Sequence, residues 1–437
     1  MRAEAGPGSP TGSPTGPLIA APGWRYALIA ALYAHQGLVA GFALTAVPNH
    51  FASLGATTGE IGAHVATVGL PWILQPLWGP VVDRYGGSAM GRRRFWVLAA
   101  LTASLLALSR LLLVEEAGAA ALPAISAVFL LQGALAALND TATDGMIIDN
   151  VPPERLGTAN AVTRTGFVTG GAAGAALFAW MLPAHGLHAS ALVLLGFGGL
   201  VLALQFLVRE GAGDARLSLR RDPARAAAGE GFGTLLRRLL ASLRGGATPL
   251  LLAFCFATDF AAAIFRLPLG VELIQARGWE AEALSRFQAG MGLVTGTVGA
   301  LAIGWWTDRA GPKRALAALL GLCGGAHLLA GALLLVPEPR WAALAGPLAL
   351  GLSTVLPALL FVALAPAVMR ASLGPAAATR FALFMAALNM GDVAGSAVAG
   401  DAVAWIGLPP VGLAAGSLFV LLALFSATGG LRRLGVS

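Results

Sequence analysis

Two carboxylates one helical turn apart, Asp140 and Asp144, stand with Asp149 at the end of an otherwise apolar run. At that spacing Asp140 and Asp144 share one helical face, where they can either clamp a basic partner or hold a proton. Other apolar runs are interrupted by His35, Arg164, Asp259, Arg266 and Asp392, accompanied by the amides Gln36 and Asn389. A charged side chain in a membrane-crossing helix costs a few kcal/mol even on lenient insertion scales, so it is expected to face an internal chamber and act there. At about 1.5 Å per residue, His35, Asp259 and Asp392 each fall roughly 15 to 18 Å from one membrane face, near mid-depth. His35, Gln36, Arg164, Asp259, Arg266, Asn389 and Asp392 are therefore the candidate substrate- and proton-binding set. Arg164 and Arg266 suit a substrate carboxylate, and Trp72 and Phe42 an aromatic ring. Purely structural uses stay open: His35 bonding a carbonyl, Asp259 closing an ion pair with Arg266 two turns on, and Gln36 and Asn389 tying helices together.

The elements that must position these groups are membrane helices. Charged residues make up only 11% of the 437 and hydrophobic ones 57%, a balance foreign to a soluble domain of this size. Twelve apolar runs of roughly bilayer-crossing length can be placed between residues 26 and 430, the fifth and sixth at 158–182 and 189–208. Pro71, Pro268 and Pro357 predict local bends. The expected fold is all-α: twelve transmembrane helices in two pseudo-symmetric six-helix bundles, residues 25–208 and 249–430. The Gly-, Pro-, Ser- and Thr-rich residues 1–24 read as a disordered tail, and residues 431–437 as a second tail. Between the bundles, residues 209–248 form a basic linker with a partly amphipathic piece near Phe232 to Leu243.

About 22 of the 28 Lys and Arg fall in the tails and even-numbered loops, with only Arg277, Arg286 and Arg340 in odd ones. That asymmetry predicts a cytoplasmic-membrane protein with both termini in the cytoplasm. The two cysteines, Cys255 and Cys323, lie inside apolar runs and read as packing residues. The histidines form no metalloprotease-type pair, no Gly-rich loop ends in Lys, and the arginines are scattered among loops. Nucleic-acid binding, nucleotide chemistry and metal catalysis are thus disfavoured, and no cofactor, metal or enzymatic activity is expected.

One turn occurs twice. Gly79-Pro-Val-Val-Asp83-Arg84-Tyr-Gly86, followed by Gly91-Arg92-Arg93-Arg94, returns as Gly304-Trp-Trp-Thr-Asp308-Arg309-Ala-Gly311-Pro-Lys313-Arg314. Each copy joins two apolar runs, so the chain divides into related halves. The pattern resembles the signature loop of the major facilitator superfamily, which lies between the second and third helix of each half. The resemblance implies that Asp83, Arg84, Arg92, Arg93, Asp308, Arg309 and Arg314 belong to a cytoplasmic gate, which Asp140 and Asp144 could join by pairing with the basic turn.

Longer stretches resemble the branch holding AmpG-like muropeptide permeases, acetyl-CoA transporters and rhizobactin- and pyochelin-type siderophore importers. They are Tyr33-Ala-His-Gln36-Gly37, Leu70-Pro71-Trp72, Leu77-Trp78-Gly79-Pro80, the acids at 140, 144 and 149, and Thr379-Arg380-Phe381-Ala382-Leu383. The muropeptide branch usually carries Lys where this chain has Gln75. The resemblance implies a monomeric secondary carrier in the lipid bilayer, moving a siderophore-like, peptide or sugar-peptide solute by alternating access, with protons as the coupling ion and import as the direction. Efflux of amphipathic compounds and a non-transporting sensor are the alternatives.

Overall fold

In the computed structural model almost every described residue is helical. The residues described are 19, 21–115, 118–152, 155–223, 248–335, 339–372 and 377–430, with isolated positions in 233–241. The expected tails and the amphipathic piece of the linker lie largely or wholly outside them.

Eleven described helices are long and apolar enough to cross a membrane. In order they are α1 (Pro22–Ser53), α2 (Thr58–Arg84), α3 (Arg94–Leu113), α4 (Gly118–Asn150), the double-length Leu156–Leu207, α7 (Thr248–Gln275), α8 (Ala281–Thr307), α9 (Pro312–Leu334), α10 (Pro339–Ser372), α11 (Ala377–Ile406) and α12 (Leu408–Thr428). At about 1.5 Å per residue the 52-residue Leu156–Leu207 is more than twice a bilayer thickness. It is broken at Gly186, where φ is 80° and only glycine is comfortable. Residues 156–185 are therefore α5 and 187–207 are α6, which makes twelve crossings. The even number of crossings between them puts the 83–94 and 308–314 turns on one side, called here the basic face; the other is the far face.

Of the expected bends, Pro268 and Pro357 lie inside unbroken helices. Beyond Pro71 the helix does break, after Ile73, into a short 3-10 turn at Gln75–Leu77. Short π-helical stretches at Phe42–Ala46 and Thr295–Gly299 add unexpected irregularity to α1 and α8.

Lipid offers no hydrophobic drive for helices to associate, so close approach through small residues does the packing. In the first half α1 lies along α5: a Cβ on Gly37, Gly41, Gly170 or Gly174 would overlap the facing backbone at Phe167, Gly171, Ala34 or Leu38. In the second half α7 lies along α11 in the same way, through Gly391 and Gly395 against Phe256 and Phe260. The halves meet at two seams. One joins α2 to α11, where Gly62 faces Ser396 and Gly59 faces Gly400; the other joins α5 to α8, where Gly296 meets Val168. Advancing each helix by six exchanges these pairings, as an approximate two-fold axis requires. Gly170→Leu is expected to lower stability by about 1–3 kcal/mol, seen as a lower melting temperature in detergent. Gly196→Leu, where a side chain meets open space, should leave it unchanged.

Candidate functional site

Three helical segments of the first half build a polar cluster. Tyr33 and Gln36, three residues apart, share a face of α1, and Asp140 and Asp144 share one on α4. The break after Ile73 carries Gln75 into the same space. Its Nε2 donates to Asp140 Oδ2 at 2.7 Å, and the Tyr33 hydroxyl donates to Asp144 Oδ1 at 2.5 Å. Gln36 and Tyr33 also reach the Asp140 carboxylate. Both acids thus interact with neutral donors, and among the described residues neither forms an ion pair with the basic turn.

The second half contributes a charged cluster. Arg266 on α7 donates from Nη2 to Asp392 Oδ1 on α11 at 2.9 Å, each side chain 37% exposed. Asp259, two turns before Arg266, lies within electrostatic reach of both. Asn389, one turn before Asp392, points across to α2, its Nδ2 3.5 Å from the Trp72 carbonyl. Arg164 on α5 also bridges the halves, its guanidinium 5.4 Å from the Phe361 ring centroid on α10.

His35 is not brought to either cluster. It is 5% exposed, against Phe197 of α6 and close to Gly198 and Leu105 within its own half, and its Nδ1 finds no hydrogen-bond partner among the described residues. Adjacent helix positions differ in direction by about 100°, so His35 and Gln36 cannot face the same chamber.

On the basic face Arg93 spans two carboxylates, Asp83 at 2.7 Å and Asp149 at 2.9 Å, while Arg92 stands 4.0 Å from Asp83. Burial opposes its charge, but Asp149 and Asp83 more than offset that and hold the guanidinium above its ordinary pKa. These pairs lie within one half. Arg84 sits 5.8 Å from the Tyr85 ring and Arg309 3.8 Å from the Trp305 ring. Arg314 is exposed at the start of α9, and the Asp308 side chain lies outside the described ones.

The far face is stitched across the halves. Asn49, 7% exposed, donates from Nδ2 to Ser285 Oγ and Gln288 Oε1, both at 2.8 Å. Gln275 Nε2 donates to the carbonyls of Ala52 at 3.0 Å and Ala56 at 2.8 Å. Outside this seal lies a crevice of about 780 Å³, lined from both halves by residues that include His50, Ser53, Trp279 and Glu280.

The model of one protein family, the Major Facilitator Superfamily, matches residues 27–372. The chain belongs to the Major Facilitator Superfamily. Solved structures agree on the fold. A point mutant of the nucleoside transporter NupG superposes with a TM-score of 0.66 at 17% identity, covering 92% of this chain and 99% of that one. A POT family transporter in complex with a thioalcohol-conjugated peptide gives 0.67 at 12% identity, covering 94% and 96%. An uncharacterized protein of Schizosaccharomyces pombe is 27% identical over 146 residues, 32% of this chain and 27% of that protein's length.

Within this Major Facilitator chain, sequence reading overlooked Tyr33 and Gln75 as partners of the α4 acids. The signal was present: Tyr33 lies three residues before Gln36, and Gln75 stands in an otherwise apolar stretch beside Pro76. Asn49, Gln275, Ser285 and Gln288 were missed because polar residues near helix ends carry no signal of their own.

Proposed function

We propose that this protein is a secondary carrier that moves a small organic solute across the cytoplasmic membrane by alternating access. The supporting observation is an asymmetric seam: the halves are hydrogen-bonded together at the far face, while the Arg93 ion pairs at the basic face stay inside one half. With the basic face in the cytoplasm and both termini there, that asymmetry among the described residues supports an inward-open state. Between the faces each half carries a polar cluster of its own, around Asp140 and Asp144 in one and around Arg266 and Asp392 in the other, and carriers built from repeats bind solute and coupling ion between their halves.

In this reading Gln36, Arg164, Asp259, Arg266, Asn389 and Asp392 line the path with Asp140 and Asp144, while His35 is a neighbouring packing residue. The arginines meet a carboxylate on the solute. Release of Asp392 from Arg266, with protonation of Asp392 and of the neighbouring Asp259, couples import to the proton gradient. Asp83, Arg84, Arg92, Arg93, Asp308, Arg309 and Arg314 form the gate that closes when the far seam parts. A siderophore, a peptide or a sugar-peptide remains the solute class to which the AmpG-like resemblance points.

The test is uptake into proteoliposomes carrying an inside-alkaline pH gradient, with a ferric siderophore, a dipeptide and a muropeptide as separate probes. Accumulation of one probe that collapses with a protonophore is the expected result. Gradient-driven loss of a preloaded probe, with no accumulation, would make the protein an exporter instead. Tyr33→Phe, which removes the hydroxyl donor to Asp144, is expected to slow uptake about tenfold, the scale of one hydrogen bond to a charged group. An unchanged rate would remove Asp144 from the path.

A further inference from the structure

Among the described residues Arg94 is the largest fully buried side chain, 1% exposed, and it is held by the start of the linker. Its Nε donates to the Val208 carbonyl at 2.7 Å, Nη2 to Phe206 at 2.7 Å, and Nη1 to Ala215 at 3.1 Å and Arg216 at 3.0 Å. Glu210 reaches back the other way. One of its carboxylate oxygens accepts the backbone N–H groups of Arg93 at 3.0 Å and Arg94 at 3.1 Å, the free amides at the beginning of α3.

Backbone pairing completes the clasp. Ala89 N–H donates to the Arg220 carbonyl, Ala215 N–H to Ala89, and Asp222 N–H to Gly87, at 2.9 to 3.1 Å. Gly91 is required at the closest point: its φ is 116°, and a Cβ there would strike the Glu210 carboxylate. The backbone that Glu210 fixes is the one that presents Arg93 to Asp83 and Asp149.

We propose that residues 208–222 are a working part of the basic-face gate, with Glu210 and Arg94 as positioning residues that aim Arg93 at its two carboxylates. The inference rests on the carrier reading above. It makes the linker more than a tether: this segment moves as one body with the first half. A change at Glu210 is then felt at the Arg93 bridge, which belongs to the open state described here, so loosening the clasp shifts the carrier toward the state shut at the basic face.

The test is a distance distribution between spin labels at Ile148→Cys on α4 and Arg314→Cys on α9, both exposed, in lipid nanodiscs. Glu210→Ala is expected to raise the short-distance population about fivefold, to match Asp149→Asn, and to add nothing when combined with it. Glu210→Gln, whose amide oxygen still accepts, should keep the parent distribution. Gly91→Ala, which pushes the Glu210 carboxylate away from the opposite side of the clasp, should behave as Glu210→Ala does and stands in for it if that variant folds poorly. If Asp149→Asn shifts the distribution while Glu210→Ala and Gly91→Ala only lower the melting temperature, the clasp is structural and the proposal is overturned. If Asp149→Asn also leaves the distribution unmoved, the gate reading itself fails and takes the proposal with it.

Discussion

Transport is expected to stop when Asn49 and Ser285 are both replaced by cysteine and bridged by oxidation or a short bifunctional thiol reagent, and to return on reduction. Asn49 Nδ2 and Ser285 Oγ are 2.8 Å apart on opposite halves, so a covalent link there holds the far seam shut and leaves the basic face open. A carrier that must part this seam in every cycle loses more than about a hundredfold in rate when the parted state is denied to it. The background is low because Cys255 and Cys323 are wholly buried. Asn49→Ala has a much smaller effect. It removes two hydrogen bonds, each worth about 0.5–1.5 kcal/mol net, and leaves the two from Gln275 in place. That shifts the balance of states about tenfold without arresting the cycle. Unimpaired uptake by the bridged protein would mean that the far seam never opens.

The second large effect is expected at the Arg266–Asp392 pair. Removing either charge strands the other at mid-depth, and Arg266→Gln or Asp392→Asn should each abolish gradient-driven accumulation while leaving the protein folded. The exposure of both side chains decides the size of the stability change. Each is 37% exposed, so the loss is set by the scale of a solvated pair, about 1 kcal/mol, rather than by the 3–5 kcal/mol of a dry one. The double variant should recover that stability but not transport. Asp259→Asn, next to the pair without forming it, is expected to retain facilitated exchange and lose coupling to pH. If Asp259→Asn and Asp392→Asn both left pH-driven uptake intact, the assignment of coupling to these acids would be wrong.

Much of the architecture was legible in the sequence, because a bilayer demands long apolar runs and the turn at Asp83 is repeated at Asp308. The break between α5 and α6 was legible only in part. Pro183 and Gly186 mark it, yet the chain stays helical up to and beyond a single left-handed residue. Height along a helix was also readable, since rise per residue is fixed, and it gave His35, Asp259 and Asp392 similar depths. Direction around the helix axis was not. His35 and Gln36 share a height and point apart, and Asp259 and Arg266, two turns apart on one face, do not close the ion pair that spacing allowed, because Asp392 on α11 takes the arginine. Contacts that join distant segments, such as Glu210 to the start of α3 or Gln275 to Ala52, depend on how the helices pack and leave no local pattern.

In the proposed cycle two rigid halves rock about a polar chamber between them, opening one face as the other closes. Two spin-label pairs in lipid nanodiscs measure this directly: Leu54→Cys with Glu282→Cys across the far seam, and Ile148→Cys with Arg314→Cys across the basic face. Opposed changes are expected as pH is varied or solute is added, the far pair lengthening in the same fraction of molecules in which the basic pair shortens. Fixed distances at both faces, or a lengthening at both together, would contradict it.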